Sequence, residues 1–376
     1  MEEKNTERKQ LYIKIGVALV CAVLLVGLVV AQYISRTFNT YRVVRETEVT
    51  YKDGYKTAKM DDSLLIYNKD GIRCIDAKGK TAWDITYQIQ EPRVVVDGGT
   101  VAVAGYGDHM IYVMNGTGRI GEINTNLPIR NICVSEAGYV GAVLDDNEVY
   151  WIYIYDSAGN EITRARTTME QSGYPISISL SPSGKLLGVS YLYLDSGVVQ
   201  NNVAFYNLGE VGQNYTDQYM SGYIYQEIVP ELHYMNDSTA MGISNDRLMV
   251  YSGSEKPTNL KDVMLNENVR SVYWGDENAI LIYNGAVNQG KYLMRVYDLG
   301  GELVLEKGFD MDYTDITSQN GIVTIYNDDE VLVVTLDGRE RFAGSLGGSV
   351  RAIVPTSTKY RYLVLFEEIF KVIELE

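Results

Sequence analysis

Two histidines and three cysteines in 376 residues leave little material for the chemistry those side chains carry. His109 and His233 stand far apart, with no H-E-x-x-H or other paired spacing, so a histidine-built metal or catalytic centre has no sequence support. No G-x-S-x-G elbow occurs, and no cysteine has a recognisable histidine partner. Cys21 lies inside an apolar run, whereas Cys74 and Cys133 fall in different repeat units and on different strand types. A disulfide needs Cα atoms within roughly 7 Å, so both are expected to be free and buried. A chain of this size builds enough core to do without bridges. Basic residues are also short, 33 Lys and Arg against 49 Asp and Glu, for a net charge of −16. Residues 1–14 and Arg36 are net positive, so the remaining body is more acidic still, and nucleic acid is excluded as a partner. Beyond residue 35 no long segment repeats apolar residues at helical spacing, which leaves the body without helices.

What is present is strand material. Tyrosine is used 31 times against 6 phenylalanines, with frequent Val and Ile, and such side chains suit a pleated, half-buried surface. Residues 152–162 (IYIYDSAGNEI) set the pattern: an alternating run, a turn, a second strand. Variants recur at 73–82, 112–121, 204–211, 248–255, 295–304 and 332–341. Their turn-opening residues Asp76, Asn115, Asp156, Asn207, Ser252, Asp298 and Leu336 are 39, 41, 51, 45, 46 and 38 residues apart, and a further step of 38 lands on Glu374. A hairpin repeated about every 40 residues predicts an all-β, eight-bladed β-propeller.

Residues 15–35 (IGVALVCAVLLVGLVVAQYIS) carry no charge and include twelve Leu, Ile or Val. As a helix the run is about 31 Å long, enough to cross a bilayer core. A cleaved signal peptide is the competing reading, but 21 residues exceed a typical h-region, and a lipoprotein reading fails because Cys21 sits mid-run. The expectation is an uncleaved transmembrane helix behind a short cytoplasmic tail, 1–14, with the propeller outside the cell membrane. Basic residues flank both ends, so the charge bias toward this orientation is slight. Residues 36–42 form a tether and 43–376 the propeller. Residues 43–51 alternate like a strand but lack a hairpin partner, while the last unit, 348–376, offers three strands at 350–354, 362–366 and 369–375. Pairing the chain ends would complete that blade and remove an open sheet edge. The other blades are expected at 54–89, 90–127, 128–170, 171–222, 223–265, 266–310 and 311–347. The inner strand of the first, near 55–60, is the weakest; without it the ring has seven blades.

Residues 181–185 (SPSGK) before an apolar strand resemble the turn of WD40-like and TolB-like propellers, and residues 76–83 (DAKGKTAW) resemble the turn of quinoprotein-type repeats. As a whole the chain is similar to a family of Firmicutes membrane proteins with one anchor and a Tyr-rich acidic propeller. The resemblance implies a fold and carries no catalytic residue across.

Residues 116–121 (GTGRIG) fit G-x-G-x-x-G, but a dinucleotide site needs a helix to follow, and a strand follows here. The acidic groups at 145–148, at Asp310, Asp312 and Asp315, and at 328–330 lack calcium-loop spacing, and the first and third are read as turns linking two strands of a blade. Trp83 is read as a plug between blades, with no quinone and no other cofactor expected. Loop length is the informative asymmetry. In a propeller the B–C and D–A loops share one face, and the A–B and C–D loops the other. Three connections were long enough to mark a binding face: B–C loops at 195–202 (DSGVVQNN) and 284–291 (NGAVNQGK), and a D–A loop at 213–225. The candidate binding residues are Tyr191, Tyr193, Asp195, Tyr215, Tyr219, Tyr223, Asn284, Asn288 and Gln289, a set able to stack on and hydrogen-bond to a peptide or sugar; buried strand tyrosines are the alternative. This points to a non-catalytic binding or scaffold module for an envelope protein, peptide or glycan. The alternative is a propeller hydrolase or lyase, which a channel-mouth cluster of carboxylate, Tyr and Arg would favour. A sensor is disfavoured because a 14-residue tail has no room to signal. The strand entering from the tether should place the long-loop face away from the bilayer.

Overall fold

The computed structural model describes residues 36–49, 54–147, 149–168, 172–286, 288 and 290–376, together with Cys21. The expected tail and, but for Cys21, the expected membrane helix lie outside the described residues. Among the described residues no helix is long and apolar enough to cross a membrane.

Eight four-stranded sheets follow one another along the chain, each antiparallel. Seven are built from consecutive strands, A innermost to D outermost. The eighth takes strands A to C from Val350–Pro355, Arg361–Phe366 and Ile369–Leu375, and its outer strand is Tyr41–Glu48 from the other end of the chain. That strand runs antiparallel to Ile369–Leu375, with Tyr41 opposite Leu375 and Glu48 opposite Ile369. Arg42 pairs with Glu374 at 3.2 Å and with Glu376 at 2.9 Å, which pins the two chain ends at one rim. The inner strand of blade 1 is present at Lys56–Met60, so the ring has eight blades and not seven.

The repeated hairpin is the C–D turn, and its residue types follow from the bend. Asp76 accepts backbone N–H bonds from Lys78 at 2.9 Å and Lys80 at 2.8 Å, and Gly79, at φ +73°, takes the left-handed position three residues on. Asp298 and Gly301 (φ +73°) repeat the arrangement. An Asx turn closed by a left-handed glycine shifts the register by one residue, and a register shift is present beside the turn at Cys74/Ile75, Ile154/Tyr155 and Val296/Tyr297. In blade 7 the turn opens at Thr335, whose carbonyl accepts from Gly338, one residue before the expected Leu336.

The core lies between blades. One cluster of buried residues fills each of the eight interfaces, as where Ala102, Ile111 and Val113 of blade 2 meet Ile132, Val140 and Leu144 of blade 3. The last cluster joins Leu64 and Ile75 of blade 1 to Leu363 and Val372 of blade 8 and seals the ring. The motif at 116–121 is a C–D hairpin turn, between strands Met110–Asn115 and Gly118–Asn124. Gly121 leaves room for the next blade, since a Cβ there would overlap the Ser157 carbonyl oxygen. Trp83 bridges blades 1 and 2, donating its indole N–H to the Asn115 carbonyl at 2.9 Å. Cys74 and Cys133 are free and buried.

Candidate functional site

Blade 4 departs most from its neighbours. Its strands B and C, Leu186–Asp195 and Val198–Asn207, have ten residues each, against seven in Tyr174–Leu180 and Tyr219–Tyr225 beside them. Pairing to the flanking strands ends at Leu192 and Asn201, so residues 193–200 project past the sheet as a two-stranded ribbon. Ser196 (φ +51°) and Gly197 (φ +83°) turn its tip, the double left-handed geometry that matches strand twist. The segment expected as an open B–C loop at 195–202 is therefore hydrogen-bonded strand with a two-residue turn. Buried Asn201 anchors the base: its Oδ1 accepts from the Val229 N–H at 2.9 Å and its Nδ2 donates to Ser190 at 2.8 Å.

The ribbon carries apolar side chains into solvent. Leu194 is 55% exposed, Val198 59% and Val199 45%, and beside its base Ile224 is 66% exposed. Asp195 is at the tip, and the Tyr193 hydroxyl donates to Gln200 Oε1 at 2.8 Å across the ribbon. Tyr191 is in the core between blades 3 and 4, its hydroxyl 3.1 Å from that of Tyr206, and its ring is not on the face.

The expected D–A loop at 213–225 is corrected. Tyr219–Tyr225 is the outer strand of blade 4, and blade 5 begins at Glu231, not near 223. The long insertion is therefore the C–D connection, 208–218, which carries two short 3-10 turns and lies on the opposite face. Tyr215 and Tyr219, both exposed, belong to that face. Tyr223 leans on Tyr251 at 5.4 Å in the blade 4–5 interface. The period-two spacing of Tyr219, Ser221, Tyr223 and Tyr225 was the strand signal that loop length obscured.

In blade 6, a B–C loop does follow Asn284, closed by Gly285 N–H to the Lys291 carbonyl at 2.9 Å. Asn284 precedes it and accepts from Arg270 at 3.5 Å, and Asn288 sits in the loop at φ +73°. Gln289 lies outside the described residues. Tyr292 donates to Asp312 Oδ1 at 2.7 Å, and the neighbouring Lys291 ammonium holds the Asp312 carboxyl below its usual range. The nine candidates thus divide. Tyr193, Asp195, Asn284 and Asn288 share the B–C/D–A face, on either side of blade 5; Tyr215 and Tyr219 occupy the other.

The inner strands bring together residues that sequence spacing could not. A channel cavity of about 350 Å³ is lined by Arg93, Asn131, Glu231, His233 and Trp274, drawn from blades 2, 3, 5 and 6. His233 stacks on Trp274 with centroids 5.3 Å apart, and burial lowers its pKa to about 4, so it is neutral at pH 7. Trp274 donates its indole N–H to Glu231 at 3.3 Å, and burial raises the Glu231 carboxyl. The channel widens at the A–B end to about 910 Å³, where Asp61, Asp62, Asp97, Glu136 and Asp276 converge. Burial, with Glu136 and other acids nearby, raises the Asp97 pKa to about 6, although its carboxylate accepts the Glu136 N–H at 2.9 Å. Among the described residues no group of three or more His, Cys, Asp or Glu is placed to hold a metal ion.

Fold and channel together define the class: an eight-bladed β-propeller with a central solvent channel and unequal faces. The chain belongs to the family of unknown function DUF5711, whose profile matches residues 34–375. No curated protein matches it in sequence. Solved propellers share its fold. Sqt1 from Chaetomium thermophilum, bound to the N-terminus of the ribosomal protein L10, superimposes with a TM-score of 0.53 at 12% identity, covering 88% of this chain and 100% of that one. BamB from Moraxella catarrhalis gives 0.50 at 10% identity, covering 89% and 100%. AztD from Citrobacter koseri gives 0.50 at 10% identity, covering 83% and 95%.

Proposed function

We propose that the protein is a non-catalytic binding or scaffold module that engages a protein or peptide of the cell envelope through its B–C/D–A face. The observation that carries this reading is the blade 4 ribbon. A hairpin anchored at its base through Asn201 that holds Leu194, Val198 and Val199 in water is costly in isolation, and such patches mark interaction surfaces. Residues 15–35 hold the module in the membrane, with the propeller outside the cytoplasm. Residues 36–40 reach the propeller on the A–B/C–D side: Phe38 donates its N–H to the Arg341 carbonyl at 2.6 Å and packs on Tyr360 at 4.8 Å. With that side toward the bilayer, the ribbon points away from it.

The test is affinity capture from envelope extract by the full chain in detergent, with a glycan array alongside. The comparison is a variant in which residues 193–200 are replaced by Asn-Gly. A partner held by the wild type and lost in the variant supports the reading, and a glycan signal instead of a protein would redirect it. An identical partner set in both proteins would sink it. A second reading, a propeller hydrolase or lyase, is favoured by the raised carboxyls of Asp97 and Glu231 in one channel. Polysaccharide cleavage abolished by Asp97→Asn or Glu231→Gln would establish it in place of the first.

A further inference from the structure

The two ends of the channel differ in sign. The A–B mouth gathers carboxylates, whereas five inner strands carry a cation at or next to their first residue, at the D–A end: Lys56, Arg93, Arg130, Arg270 and Arg351. Most of these are already engaged. Arg130 donates Nε to Asp145 at 2.8 Å and stacks over Tyr106 at 4.7 Å, Arg351 pairs with Glu367, and Arg270 reaches Asn284. The side chains of Lys56 and Arg93 make no hydrogen bond or ion pair to any described residue, although their backbones join the strand ladders.

Both unpartnered cations line one cavity of about 410 Å³ between blades 1, 2 and 3, which opens on the same face as the ribbon. Its other walls are Tyr67, Tyr106 and aliphatic side chains such as Val94 and Ile132. Tyr106 is 71% exposed at the opening. Arg93 also borders the channel cavity; its side chain stays exposed, and partial desolvation there lowers its guanidinium from the ordinary value. In a chain of net charge −16, two free cations facing one cavity stand out against the general field. A guanidinium left without a partner on such a wall offers a fixed fork of donors matched to a carboxylate.

We infer that this cavity is a binding site for a single carboxylate presented by a peptide chain, an Asp or Glu side chain or a C-terminus, with Arg93 and Lys56 as its ligands. The charge count sets the stoichiometry. Among the lining side chains Lys56 and Arg93 supply two positive charges, Glu91 removes one, and Arg130 is cancelled by Asp145, which leaves one. A dianionic phosphate exceeds that single net charge and is the poorer fit. The aliphatic and tyrosine walls accept the stem that carries the carboxylate. This deepens the binding reading above and rests on it for the choice of a peptide.

Ligand-observed NMR on the full chain in detergent tests it with two probes, acetyl-Val-Glu-Val-amide and acetyl-Val-Gln-Val-amide. The expected result is saturation transfer to the Glu peptide alone, weakened at least tenfold by Arg93→Gln and by Lys56→Gln, and reduced by added salt. Equal signals from the two peptides, or full binding by Arg93→Gln, would overturn it. Tighter binding of the phosphoserine analogue would overturn the carboxylate assignment, and tighter binding of glucuronate would overturn the peptide. Both positions are exposed, and if either variant fails to fold the other decides alone. A captured partner that needs the ribbon but ignores both substitutions would refute this site and leave the binding reading intact. Glu-peptide binding that needs Arg93, in a protein whose partners ignore the ribbon, would do the reverse.

Discussion

The two faces of the propeller are made from the same repeat, yet they have been put to different uses. On the A–B/C–D face all but one of the turns have five residues or fewer, and several pack on the neighbouring blade. Ser157 presses on Gly121, and Trp83 reaches the Asn115 carbonyl. On the B–C/D–A face connections vary in length, and blades 4 and 6 rise beside a blade 5 whose B–C turn spans only residues 244–246. The lesson is that the recurring Asx turn marks the face that holds blades together, and the extended ribbon and loop mark the face that is free to change. The blade 4 insertion at 208–218 is the exception, an irregular segment on the regular face.

The largest effect should come from breaking the packed face. Gly121→Val drives a branched side chain into the Ser157 carbonyl, and overpacking of that kind costs roughly 3 kcal/mol or more. Thermal unfolding should show a midpoint lower by many degrees, and an unchanged midpoint would show that the face is looser than its contacts imply. Next, replacing residues 193–200 by Asn-Gly should abolish partner capture while shifting the midpoint by no more than about 2 °C, because the ribbon lies beyond the interblade core.

The acidic mouth gives a smaller effect with a defined sign. Asp97 titrates at about 6 in the folded chain, above its unfolded value near 4, so the folded state prefers the protonated form. Its contribution is present below pH 4 and lost as pH rises through 6. Asp97→Asn keeps an acceptor for the Glu136 N–H and removes the charge. It should stabilise the protein by about 1–2 kcal/mol at pH 8 and leave it unchanged at pH 3.5; equal effects at both values would refute the assignment. The smallest effect belongs to Tyr215→Ala and Tyr219→Ala, which should alter neither capture nor the midpoint by more than about 1 °C, since both rings are exposed on the face away from the ribbon. Loss of the partner in either variant would mean that the binding surface wraps around blade 4.

Face assignment in blade 4 shows where sequence reading stopped. The hairpin turns were readable because Asp76, Asp156 and Asp298 act locally, each bonding to backbone within four residues. Tyr219 and Tyr223 were misplaced because a long insertion shifts every later strand without changing its composition. Tyr191 was misread for a related reason: exposure of a strand tyrosine depends on the neighbouring blade, here Ile152 and Ile154. The channel residues Arg93, Glu231, His233 and Trp274 carried no signal, since they come from the inner strands of three different blades and only the ring brings them together.

By itself the sequence determined the repeat, the all-β class, the eight-fold count and the free, buried Cys74 and Cys133, because turn chemistry and period-two alternation act over a few residues. Only the tertiary structure decided which loops share a face, which tyrosines are buried and how charge separates along the channel. Those properties arise when side chains from different blades meet across the ring, and no window of the sequence contains more than one of the partners.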